Sequence, residues 1–296
     1  LHHFTLTIPA LKIFSDNGFV GVDVFMLLSG FGLYHSLHRN GDLRRFYIKR
    51  MQRILIAYLI FGVAYCIFVS HDGFCQFLLK ISTIGFWIGG DSLSYEWFVP
   101  AIVILYAVYP LLFNAINSKY SGLVLIGATM ISTVIAFAHM VSFPQFFLVC
   151  RLPVFLYGSL LAKQSLEGSD EKSFYTISIL SMLVACMTEL IVKDDLYIYY
   201  WGRSFLTPLL VLILMTIFRM LPKTERMMSW IGTFTLEIYL MHWLVLKVAT
   251  LYLHRMSIGI NLTTLVGCCI SVSMGYLFSK FVNMINGRLN IIGSKI

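Results

Sequence analysis

The sequence predicts an all-α, polytopic transmembrane helical bundle, and three observations carry that prediction. Hydrophobic residues fill 58% of the 296 positions and charged residues only 12%, whereas soluble domains carry about 25% charged residues. Apolar runs of about 20 residues recur from end to end, the length that a ~30 Å hydrocarbon core demands. The basic residues gather between those runs: six of the 22 Lys and Arg fall between Arg39 and Arg53. That placement reads as positive-inside topology, and it argues against a nucleic-acid surface despite a net charge of +8.

Nine spans are expected, over 19–37, 53–70, 97–114, 121–139, 144–162, 174–192, 204–221, 230–252 and 261–282. The first holds a single acid, Asp23, and runs into the basic segment 38–52; the second apolar run follows at once, so the pair reads as a membrane hairpin with a basic cytoplasmic turn. The next apolar piece, 74–90, is short and carries Gly73, Gly85, Gly89 and Gly90. It is assigned to the outer surface as a re-entrant or interfacial segment. With that assignment fifteen Lys and Arg lie inside and seven outside, the bias the positive-inside rule requires. The largest connections are then 71–96 and 193–203 (KDDLYIYYWGR) outside and 163–173 inside. The six cysteines, mostly within apolar runs and without CxxC spacing, read as buried thiols. The chain opens on Leu1, His2 and His3. The outward placement of 1–17 implies an upstream helix, hence ten spans in the intact protein and one membrane-embedded domain over 1–296.

An ionisable group within a span costs at least ~2.5–3.5 kcal/mol, so it faces a polar interior or a partner. Asp23, His139, Arg151, Glu189, Glu237 and His242 are such groups; each reads either as a member of an interhelical ion pair or as part of a substrate path. Arg50 and Arg53 stand three apart at a helix start and project from one face. They read as orientation anchors or as a pair suited to phosphate, which guanidinium geometry fits. Ser29, Gly30 and Gly32 are small residues in the second half of the first span, suited to close helix packing or to a narrow passage. His2 and His3, with an imidazole pKa near 6.5, are candidate general bases. HExxH, GxSxG and Walker patterns are missing from the sequence, and no metal is expected.

Five segments, in this order, carry a family resemblance. GFVGVDVFMLLSGFGL is similar to a GVDxFFxLSGF segment, and FYIKRMQRILIAY to an RxxRI helix start, with Leu55 and Ile56 where a proline is usual. EWFVPAIVILYAVYPLLF has the pattern of a WFL…L…Y…P span through Trp97, Tyr106 or Tyr109, and Pro110. RLPVFLYGSLLA matches an RxPxFxxG segment through Arg151, Pro153 and Gly158, and WIGTFTLEIYLMHWLV a late span ending in YLxH, with His242 in place and Thr235 for the usual serine. Together they resemble the acyltransferase-3 family of integral membrane acyltransferases, the O-acetyltransferase type.

The resemblance implies transfer of an acyl group, acetyl or succinyl, from cytoplasmic acyl-CoA to a hydroxyl of an extracytoplasmic glycan or glycan-like acceptor. It implies a catalytic histidine at the end of the first family span, here His3 or His2. Arg50 and Arg53 would hold CoA phosphates, with the thioester beside Ser29 and Gly30. Asp23, Arg151 and His242 would be substrate-side or structural polar groups, and Trp97 and the 197–201 aromatics a platform for a sugar. The expected partners are acyl-CoA, the glycan acceptor and the lipid bilayer, with the cytoplasmic membrane of a bacterium as location. A transporter or flippase for a lipid-linked glycan is the alternative, although the repeated halves common in transporters are not visible in the sequence.

Overall fold

The computed structural model describes residues 18–168, 171–191, 195–253 and 260–293, and every regular element among them is helical. Helices α1 (Val20–Asn40) and α2 (Leu43–Tyr65) form the opening hairpin, and a π-helical turn, Cys66–Ser70, extends α2. Two short helices follow, α3 (Phe74–Ile81) and α4 (Ile84–Gly89). Next come α5 (Phe98–Asn117), α6 (Ser121–Ala138), α7 (Phe143–Val149), α8 (Leu152–Glu167) and α9 (Glu171–Ile191). The series closes with α10 (Leu196–Ser204), α11 (Thr207–Met220), α12 (Pro222–Gly232), α13 (Thr235–Leu253) and α14 (Ile260–Gly293). Eight helical segments are long and apolar enough to cross a membrane; α12 and α13, bent by 70°, make a ninth when taken as one span. The protein is a polytopic all-α membrane bundle.

Local chemistry moves several boundaries from their expected places. The basic turn is not the broad 38–52 segment but Gly41–Asp42 alone. Gly41 adopts φ 59° and donates its N–H to the Leu37 carbonyl, closing α1. Asp42 then caps α2 by accepting from the Arg45 N–H at 3.1 Å. The Arg, Lys, Met and Gln between Arg44 and Arg53 are strong helix formers, so α2 begins well before its apolar run. The 193–203 connection is largely helical as well, since Asp195 Oδ1 accepts from the Tyr197 and Ile198 N–H groups and starts α10. The expected 144–162 span is two helices, interrupted at Cys150–Arg151. Helices α3 and α4, of 8 and 6 residues, are far shorter than the ~20 needed to cross. All six cysteines are unpaired, but Cys75, Cys186 and Cys269 are exposed rather than buried. A lipid-facing thiol keeps an apolar surrounding without entering the core.

Helices α1 and α8 approach each other closely. A methyl group at Gly30 would drive into the Phe155 carbonyl oxygen, and one at Gly158 into that of Leu27. Small residues permit this contact, which in lipid replaces the hydrophobic drive available in water. Ser159 Oγ donates to the Gly30 carbonyl at 3.0 Å, and the Tyr109 hydroxyl reaches the same oxygen at 3.3 Å. Outside, α6 exposes Leu123, Ile126, Met130, Val134 and Phe137, a surface for acyl chains.

Gly158→Val should therefore lower the thermal midpoint of the purified protein, overpacking costing about 1–3 kcal/mol. Gly32→Ala, with open space around the added carbon, should leave it unchanged or raise it by a fraction of the ~1 kcal/mol glycine penalty in helices. Scanning fluorimetry of both variants checks the contrast.

Candidate active site

Asp23 lies in the first turn of α1, and Arg151 occupies the N-cap position of α8, where the interrupted span turns inward. Their side chains are buried and meet Oδ1 to Nε at 2.5 Å. The guanidinium lies over two adjoining rings, 4.9 Å from the centroid of Trp97 and 5.3 Å from that of Phe147. Its Nη1 donates to the Phe147 carbonyl at 3.2 Å. Three residues singled out from the sequence, Asp23, Trp97 and Arg151, thus form one cluster. Arg151 spends its charge on an internal carboxylate and on aromatic faces, and the helix break exists to deliver it there.

Glu96 is the residue that sequence reasoning missed. It immediately precedes Trp97 and was assigned to an outer connection, yet it is buried. Its carboxylate caps α5, accepting from the Phe98 N–H at 2.7 Å and the Val99 N–H at 2.6 Å. The Tyr239 hydroxyl donates to the same group at 2.9 Å. Desolvation by burial pushes the Glu96 carboxyl up from 4.5 to about 7, against these three hydrogen bonds and with a smaller push from Asp91. An acid two residues ahead of a helix start is a capping signal, and that was the readable cue. Tyr239 and His242 stand three apart on α13, on one face. The His242 Nδ1 lies against the Tyr239 carbonyl. Glu96, Trp97, Tyr239, His242 and Trp243 line a cavity of about 310 Å³.

The basic end is organised differently. Arg53 Nη2 donates to the Thr233 carbonyl at 2.8 Å and to Glu237 Oε2 at 3.1 Å, and Nη1 donates to Asn283 Oδ1 at 3.3 Å. It therefore clips α2 to α13 and α14. Arg50 has no such partner among the described residues. The two arginines do not converge on one point. Arg44, Arg45, Lys49 and Gln52 line a groove of about 540 Å³ beside Arg53. Gly30 is enclosed by Phe155 and Ser159. The 197–201 aromatics are tied into the bundle: Tyr197 donates to the Val141 carbonyl at 3.0 Å and Trp201 to Ser132 at 3.1 Å. His2 and His3 lie outside the described residues.

Two outcomes follow from these contacts. Asp23→Asn strips the buried Arg151 of its counter-charge and should cost about 3–5 kcal/mol, while Asp23→Leu with Arg151→Met should recover much of the loss; denaturant titration of the variants measures it. Because Glu96 holds its proton more tightly folded than unfolded, its contribution to stability is complete below about pH 4.5 and is lost as pH rises through about 7. Glu96→Gln should flatten the fall in thermal midpoint over that window.

A family model described as "Acyltransferase domain" matches residues 2–280. A protein of Acidianus two-tailed virus named "Putative acetyltransferase ORF330" is 27% identical over 259 residues, covering 82% of this chain and 78% of its own length. No solved structure matches the chain. With the family match running from the first residues into α14, and the Asp23, Arg50–Arg53, Trp97, Arg151 and His242 segments in order along it, the chain belongs to the acyltransferase-3 family of integral membrane acyltransferases.

Proposed function

We propose that the protein moves an acyl group, acetyl in the first instance, from cytoplasmic acyl-CoA to a hydroxyl of a glycan or glycan-like acceptor on the opposite side of the membrane. One observation carries this reading. On α13, Glu237 is bonded to Arg53 of the basic end, and Tyr239 is bonded to Glu96 of the far cavity. Two residues of helix rise only about 3 Å, so a single turn of α13 is tied to both ends of a path through a ~30 Å hydrocarbon core. A donor entering from one side and an acceptor from the other need travel only part of that thickness each.

The basic groove, with Arg44, Arg45 and Lys49, supplies the charge for the CoA phosphates. Arg50, on the same helix, adds to that charge, and the pantetheine arm and thioester would run inward from there towards Ser29 and Gly30. Arg53 then positions the floor of this path through Glu237. At the reacting end the acceptor oxygen attacks the thioester carbonyl, and His3 or His2 takes the hydroxyl proton. The carbon–sulfur bond breaks, and the thiolate leaves with that proton as free CoA. In the two-step alternative the histidine itself is acylated first.

Thiol release from acetyl-CoA by purified protein in lipid nanodiscs, with a glycan acceptor present, tests the reading. Arg50→Ala should raise the KM for acetyl-CoA about tenfold or more, a charged hydrogen bond being worth ~1.5–3 kcal/mol, with folding intact. The His2→Ala, His3→Ala double variant should lose turnover while still binding acetyl-CoA. Unchanged KM in the first or retained turnover in the second would refute the assigned roles.

A further inference from the structure

We propose that the 310 Å³ cavity between the end of α2, the 91–97 connection and α13 is an acceptor subsite for a single neutral saccharide ring. Glu96 and Tyr239 read its hydroxyls, and Trp97 and Trp243 form its walls. The assignment rests on the acyl-transfer reading above, and it adds the chemical class and charge of what is acylated.

Size is the first argument. Ligand pockets run from about 300 to 1,000 Å³, so a cavity of about 310 Å³ takes one ring and not a stretch of polymer. Its wall chemistry is the second. Tyr65, Tyr95, Trp97, Tyr239 and Trp243 contribute aromatic surface, which suits the C–H faces of a pyranose; their polar tips and the Glu96 carboxyl suit its hydroxyls. The indole of Trp243 is covered by the Lys247 ammonium at 4.9 Å.

Glu96 is the third argument. Burying a carboxyl costs several kcal/mol unless hydrogen bonds offset it, and the Phe98 and Val99 N–H groups supply two of them. The acid is placed in the cavity wall, with Tyr239 donating to it at 2.9 Å. With the Tyr239 proton directed at Glu96, the dyad offers oxygen acceptors to the hydroxyls of a vicinal diol. Charge settles the remaining choice. Asp91 and Glu96 face Lys247 and His242 across the lining, and the Lys247 ammonium already lies over an indole. Among the described lining residues two carboxyls thus stand against one ammonium, which leaves no net positive charge to draw a uronate, sialate or sugar phosphate.

The test uses the full chain in nanodiscs, titrated with methyl β-D-glucopyranoside, methyl β-D-galactopyranoside and methyl α-D-mannopyranoside while tryptophan fluorescence is followed. Methyl β-D-glucuronide and the acyclic sorbitol serve as controls, and acetyl-CoA binding is measured separately on the same samples. A saturable change with at least one neutral ring is expected, about tenfold weaker or lost with glucuronide and sorbitol. Glu96→Gln and Tyr239→Phe should each weaken it about tenfold, as expected where a hydroxyl-reading group is removed, with acetyl-CoA affinity unchanged. The subsite is overturned if no neutral ring saturates while acetyl-CoA still binds, if glucuronide binds more tightly, or if both variants bind the ring like the parent. Ring binding without acetyl-CoA binding would support the subsite and sink the donor assignment instead.

Discussion

The structure depends on the ion pair between Asp23 and Arg151. Two charges removed from water cost more than a surface pair could return, and they persist only where geometry and neighbours compensate. Here compensation comes from a 2.5 Å contact, two aromatic faces and a backbone carbonyl. Meeting those needs takes Phe147 near the end of α7 and Arg151 at the N-cap of α8, one turn apart. It also requires Trp97 at the head of α5, which brings Glu96 beside it. The pair therefore aligns α1, α5 and α8 at one end of the bundle, and the glycine contact between Gly30 and Gly158 aligns α1 and α8 farther along.

Helix α13 is the second organiser. Its first turns face two environments: Glu237 answers Arg53, and Tyr239 answers Glu96. A helix entering the bundle after a 70° bend can place successive side chains against different neighbours within one turn. The same geometry makes Arg53 a positioning residue as much as a cation.

Much of the fold was legible from the chain. Eight segments with crossing length and hydropathy coincide with predicted apolar runs, because the bilayer imposes a length and a polarity that no tertiary contact can relax. The 74–90 piece was rightly kept from crossing, since its short helices lack the reach. Helix boundaries were less legible where capping residues rather than hydropathy decide them. Gly41 and Asp42 shorten the hairpin turn, and Asp195 makes a helix of an expected loop.

The candidate site divides along the same line. By itself the sequence determined the class of molecule, the order of its spans, the family, and the intramembrane ionisable groups that must find partners, because each follows from local composition against a lipid solvent. Which partner each one finds was decided only by the tertiary structure. Arg151 could have met Glu237 as readily as Asp23 on sequence grounds, and nothing local marked Glu96 as buried or joined it to Tyr239 across 143 residues. Pairings of that kind depend on which helix faces oppose one another, and that is set by close packing at positions such as Gly30 and Gly158.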